Sequence, residues 1–152
     1  LKALEEAIQK AYKEDSQLLL ESALEGREVS VGAYRNSEGI QVLPITEIIT
    51  ENDFFDYEAK YEGKAKEITP AQLPKDWASL VISQMKAIYK SLNLSGLIRS
   101  EFIFVGGIPQ LLEINTVPGM TEASIIPQQV AARGLDLGIF FESQLELALL
   151  KK

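Results

Sequence analysis

At 152 residues the chain is long enough for one domain with a real core and too short for two large ones. Its composition, 46% apolar and 24% charged, is that of an ordinary globular protein, and a net charge of −7 argues against nucleic acid as a partner. The absence of both cysteine and histidine excludes disulfides, thiolate metal sites and the Ser–His and Cys–His dyads, so any chemistry must run on carboxylates, Lys, Arg, Tyr, backbone dipoles or a metal.

The first residues, to about Glu14, are predicted helical, with Leu4, Ile8, Ala11 and Tyr12 at helical spacing. The chain opens at Leu1 in mid-pattern without an initiator Met, which reads as a piece of a longer protein. Residues 17–21 are expected to form a short buried strand or edge, and 24–26 a turn. From Arg27 to Tyr34 the pattern alternates, with Val29, Val31 and Ala33 on one face. Residues 36–39 form a hairpin turn, and Ile40 to Ile49 returns as a strand broken or edged by Pro44. Residues 53–61 are aromatic and acidic with no clean period, and 66–69 are expected as a short edge strand. A helix then runs from the prolines at 70 and 74 to about Leu92, with Trp77, Leu80, Val81, Met85, Ile88 and Tyr89 inward. A hairpin over 97–116 follows. A helix from about Ile126 stops at Gly134, a good residue for the position after a helix end, and an amphipathic helix covers Ile139 to Leu150. Strand pairs and segregated helices indicate an α+β domain, a mostly antiparallel sheet flanked by helices. No apolar stretch reaches the length of a membrane span and no signal peptide is visible, so no membrane association and a cytoplasmic location are expected.

The most informative segment is Leu111-Leu-Glu-Ile-Asn-Thr-Val-Pro-Gly-Met-Thr-Glu-Ala-Ser124. Alternation puts Glu113 and Asn115 on one face of a strand. A buried carboxylate needs a partner, and nothing cationic lies near Glu113 in sequence. If the preceding strand folds back about Gly107, Glu101 lies opposite Glu113 and Arg99 opposite Asn115. Facing carboxylates are destabilising unless a cation sits between them. An oxygen-only ligand set favours Mg²⁺ or Mn²⁺ over Zn²⁺, and Mg²⁺ bound by few carboxylates completes its shell with water and substrate phosphates. The same residues also fit an antiparallel hairpin with one wet, charged face.

These motifs resemble a known family. Leu20-Glu-Ser-Ala-Leu-Glu-Gly-Arg-Glu28, Asp56-Tyr-Glu-Ala-Lys-Tyr61, Arg99-Ser-Glu101 and Leu112-Glu-Ile-Asn-Thr-Val-Pro-Gly-Met-Thr-Glu-Ala-Ser124 are similar to segments of the C-terminal part of D-alanine–D-alanine ligases, members of the ATP-grasp superfamily. The resemblance covers essentially residues 1–152. It implies one domain, the C-terminal ATP-grasp subdomain, with an N-terminal substrate domain and a glycine-rich phosphate-loop subdomain belonging to the rest of a longer ligase.

The resemblance also implies roles. Glu21, Ser22, Ala23 and Leu24 look like the segment that reads the adenine edge through backbone groups, with Ser22 and Ala23 where the family usually has Lys and an aromatic residue. Glu28 resembles the carboxylate that accepts from the ribose hydroxyls, and Phe54 an aromatic near the purine. Lys60 and Tyr61 resemble the loop over the phosphates. Arg99 and the Gly119 N–H resemble the oxyanion donors, and Ser124 the hydroxyl that receives the carboxylate of the second amino acid. Glu101, Glu113 and Asn115 resemble the ligands of two Mg²⁺ ions, Glu101 standing where the family commonly has Asp. The implied reaction is ATP-dependent ligation of two D-alanines through an acyl phosphate, for peptidoglycan synthesis, by a homodimer in full-length form. The fragment alone is expected to be inactive. Other readings are a D-alanine–D-lactate or D-alanine–D-serine ligase, or a non-catalytic module whose acidic face docks a partner.

Overall fold

The computed structural model describes residues 2–50 and 65–150. Helix α1 (Lys2–Ala11) is followed by residues 12–26 without regular structure. Six strands form one sheet: β1 (Arg27–Asn36), β2 (Gly39–Val42), β3 (Thr46–Thr50), β4 (Ala65–Ile68), β5 (Ile98–Val105) and β6 (Ile108–Asn115). Helix α2 (Lys75–Ser91) separates β4 from β5, and α3 (Ile125–Ala132) and α4 (Leu137–Leu150) close the chain.

The sheet runs β4-β3-β1-β5-β6, with β2 also paired to β1, and every pairing is antiparallel. The expected strand over 40–49 splits in two around Pro44, because a residue without N–H cannot serve the ladder. Its halves pair with successive parts of β1: Ala33 with Val42, and Ser30 with Thr46.

β1 is buried on both faces, as a central strand of a three-layer domain must be. Val29, Val31 and Ala33 face one way and pack with Phe102, Phe104 and Ile98 against Val81, Met85 and Tyr89 of α2. Trp77 of the same helix stacks on Phe104 with ring centroids 4.5 Å apart. On the other face Tyr34 and Leu43 meet Ile126, Val130 and Phe140 of α3 and α4. The sheet is thus sandwiched, with α3 and α4 on the second face over β2 and the adjoining parts of β1, β3 and β4. The part formed by the middle of β1, β5 and β6 carries the charged residues.

Four expectations are corrected. Residues 17–21 form no strand, and Leu19 and Leu20 are exposed; a three-leucine run finds no sheet partner here. Leu80 points outward, because the 17-residue helix α2 buries only the stripe through Val81, Met85 and Tyr89. α4 is apolar nearly all round rather than amphipathic, and buries only Phe140. The β5–β6 hairpin does not fold about Gly107 alone. It turns through Gly106 and Gly107, both at positive φ, with Val105 opposite Ile108, the geometry of a two-residue hairpin loop.

Candidate functional site

That two-residue turn, continued without interruption, would set Glu101 against Leu112. A bulge corrects it. Phe102 pairs with Leu111, whereas Glu101 pairs with Glu113, so Leu112 is the extra residue. From there the register is the one expected: Glu101 faces Glu113 and Arg99 faces Asn115. On the next strand Ser30 lies beside Glu101 and Gly32 beside Arg99, with Glu28 two residues along on the same face. Three strands therefore aim one arginine, three carboxylates and an amide at a single surface.

Their environments differ. Arg99 and Glu101 are buried, and the Arg99 Nε donates to Glu101 Oε1 at 2.8 Å. The Ser30 hydroxyl donates to the same oxygen at 3.4 Å. Glu113 is exposed. The expectation of a buried Glu113 is thus corrected: of the two facing carboxylates only Glu101 is buried, and its cation comes from two residues earlier on its own strand. One lone pair of the Asn115 Oδ1 accepts from the Val117 N–H at 2.9 Å, which pins the amide as β6 ends.

Among the described residues no group of three or more His, Cys, Asp or Glu converges on a point. The set that does come together is two carboxylates and an amide oxygen. It fits a hard divalent cation such as Mg²⁺, which takes one or two carboxylates and leaves its remaining positions to water and phosphate oxygens. The Arg99 charge offsets only one of the two facing carboxylates.

Beyond β6, Pro118 is buried and the chain turns into α3. Ser124 is the residue before the helix, yet its hydroxyl does not cap it. The hydroxyl instead accepts from the Thr121 N–H at 3.1 Å and bonds the Thr121 hydroxyl at 2.8 Å. A Cβ on Gly119 would approach the Ser124 Oγ to 3.1 Å, so the glycine leaves that hydroxyl accessible. Residues 21–24 lie outside any strand, Leu24 half-buried and Glu21, Ser22 and Ala23 exposed. Phe54, Lys60 and Tyr61 lie outside the described residues.

Two functional-looking residues escape a sequence reading. Gln129 is fully buried. Its amide donates to the Ser30 carbonyl at 2.9 Å and the Thr46 hydroxyl at 3.0 Å, and accepts from the Gly32 N–H at 3.0 Å. It thereby supplies the peptide group that the break at Pro44 withholds from β1. A Cβ on Gly32 would meet Gln129 Oε1 and Ile126 Cδ1 at 2.7 Å, so α3 can lie this close only over glycine. Gln128, next to it, donates to Glu67 Oε2 at 2.7 Å and to the Ala123 carbonyl at 3.2 Å. The signal available beforehand was two adjacent glutamines in an otherwise apolar helix, since buried amides need partners.

Known proteins share this fold. A D-alanine–D-alanine ligase from Bacillus anthracis complexed with ATP superposes with a TM-score of 0.82 at 29% identity, covering 98% of this chain and 48% of that one. VanG D-Ala:D-Ser ligase from Enterococcus faecalis gives 0.81 at 26% identity, over 97% of this chain and 43% of that one. The fold is that of the C-terminal ATP-grasp subdomain. Among curated proteins, the D-alanine–D-alanine ligase of Flavobacterium johnsoniae is 51% identical over 143 residues, 94% of this chain and 44% of its own length. That of Flavobacterium psychrophilum is 47% identical over 152 residues, 100% of this chain and 46% of its own. The family described as D-ala D-ala ligase C-terminus matches residues 1–145, and the chain belongs to it. It spans less than half the length of these two relatives.

Proposed function

We propose that this chain is the C-terminal ATP-grasp portion of a D-alanine–D-alanine ligase that joins two D-alanines, driven by ATP, for peptidoglycan synthesis. The observation that carries the reading is the register of β5 on β6, which puts Glu101 against Glu113 and Arg99 against Asn115 on one face of the sheet. Family membership and relatives at 47–51% identity bearing that name support it.

In this reading one D-alanine carboxylate attacks the γ-phosphorus of ATP to give an acyl phosphate and ADP. The amine of the second D-alanine then displaces phosphate through a tetrahedral intermediate. Glu101, Glu113 and Asn115 would hold two Mg²⁺ (or Mn²⁺) ions, whose chemistry is to neutralise and template the phosphates. Arg99 keeps its Nε on Glu101 and offers the two terminal guanidinium nitrogens to the developing oxyanion. The Gly119 N–H is the second donor. Ser124, at the start of α3, takes the carboxylate of the second D-alanine, where its hydroxyl and the helix N-terminus both favour an anion. Glu28 accepts from the ribose, and residues 21–24 present backbone groups to the adenine edge. The remaining protein supplies the N-terminal substrate domain and the glycine-rich phosphate loop, and the whole acts as a cytoplasmic homodimer.

The test is product analysis with the full-length protein, ATP, Mg²⁺ and D-alanine. D-Alanyl-D-alanine should form in step with ADP. The likeness to the D-Ala:D-Ser ligase keeps a second reading in play, so D-serine and D-lactate are offered in competition. Preferred capture of either would replace D-alanine as acceptor, and no ATP-dependent product with any of the three would overturn the ligase reading.

A further inference from the structure

The turn at 119–124 is bonded mainly to itself. The Ser124 N–H donates to the Thr121 carbonyl at 2.8 Å, and the Ser124 hydroxyl returns to Thr121. Among the described residues, its one side-chain hydrogen bond outward comes from Gln128, whose amide donates to the Ala123 carbonyl at 3.2 Å. The same nitrogen donates to Glu67 Oε2 at 2.7 Å. Glu67 lies on β4, the edge strand of the sheet, opposite Ile48 of β3. Both side chains are half-buried, so this charge-assisted bond is shielded from water on part of its surface. A chain of two hydrogen bonds thus runs from the sheet edge, through Gln128, to the peptide that carries Ser124.

We infer that Glu67 and Gln128 are a positioning pair that sets the Ser124 turn for the carboxylate of the acceptor amino acid. This rests on the ligase reading above, and concerns one substrate of it. An exposed turn held only by its own hydrogen bonds samples several geometries, and a displacement of about 1 Å is enough to cost on the order of 10²-fold in rate. Anchoring the Ala123 carbonyl removes that freedom at the residue next to the hydroxyl. In that reading the nucleotide and its metals are held by other groups, at residues 21–24 and on β1, β5 and β6, so loss of the pair should fall on the acceptor and not on ATP. Glutamine suits the task because its amide donates to both oxygens at once. The partner at position 67 needs only an acceptor oxygen, so Glu67→Gln should serve nearly as well.

The experiment uses the full-length ligase and four variants: Glu67→Ala, Glu67→Gln, Gln128→Ala and the double alanine. Each single alanine should raise the KM for the second D-alanine five- to tenfold, leave the KM for ATP within twofold, and leave Tm within two degrees. Glu67→Gln should stay within twofold of wild type. The double variant should be no worse than the worse single, because either change breaks the same chain of bonds. Additive losses, equal effects on both substrates, or an unchanged acceptor KM would overturn the inference. Amide hydrogen exchange over 119–126 reads the pair without any turnover. It should quicken in both alanine variants, and unchanged exchange would overturn the inference even in an active enzyme. A wild-type protein that makes no dipeptide would instead refute the ligase reading, while the exchange result still decides whether the pair orders the turn.

Discussion

Arg99 and Glu113 share a face of the sheet but not an environment, and their variants should separate accordingly. Arg99 is the buried cation for Glu101. Arg99→Ala therefore strands a buried carboxylate, a change that typically costs about 3–5 kcal/mol, and under the proposed function it also removes an oxyanion donor. In the full-length enzyme we expect kcat to fall about 10²–10³-fold and Tm to drop by several degrees. Glu113 is exposed, so Glu113→Gln should leave Tm where it is while weakening use of Mg·ATP. Equal losses of stability in the two variants would contradict this division. Tyr89 offers a third test. Burial pushes its phenol above its ordinary value of 10.0, opposed by the Arg35 charge beside it, and the hydroxyl donates to the Gly96 carbonyl at 2.6 Å. The folded state holds this proton more tightly than the unfolded one. Its stabilising effect is therefore full below pH 10 and is lost as pH rises through the higher folded value. Alkaline denaturation monitored by urea midpoints should show that loss, and Tyr89→Phe should flatten it at the expense of one hydrogen bond.

At the scale of elements, the hairpin and α3 position the site. Gly106 and Gly107 were readable as a turn because two adjacent glycines tolerate positive φ. The pairing of Glu101 with Glu113 was expected from a fold about Gly107, yet the chain reaches it by a two-residue turn and a bulge at Leu112. Bulges leave no mark in composition, because any residue can be the extra one. Gln129 is the other device at this scale. Replacing it with leucine removes three hydrogen bonds and leaves the buried Gly32 N–H and Ser30 carbonyl without their partner. Each stranded backbone group costs about 1–3 kcal/mol, so Gln129→Leu should destabilise by roughly 3 kcal/mol in chemical denaturation. A change below about 0.5 kcal/mol would mean that water or a shifted strand replaces the amide.

Over the whole molecule, the sheet is covered on one face by α2 and on part of the other by α3 and α4. The charged remainder of the second face holds the buried Arg99–Glu101 pair beside the exposed Glu113. ATP-grasp sites, as the family resemblance implies, lie between two subdomains, and this chain spans 44–46% of its two Flavobacterium relatives. One wall of a cleft gives weak binding, since affinity depends on converging contacts and exclusion of water. Calorimetry on the chain by itself should detect no micromolar Mg·ATP binding. Micromolar affinity would show that one wall is enough.

Order along the chain was legible wherever the cause is local. Alternation at Val29, Val31 and Ala33, the glycine pair at 106–107, the stop at Gly134 and the spacing of Glu113 and Asn115 each follow from backbone geometry over a few residues. The family motifs added the family itself and its fold, and they supply the roles proposed for Arg99, Gly119 and Ser124. Tertiary structure alone decided which of two facing carboxylates is buried, that Arg99 neutralises one of them, and that two glutamines of α3 bond to strands more than 60 residues away. Burial and long-range hydrogen bonds depend on which surfaces the whole chain brings together, and no window of neighbouring residues contains that information.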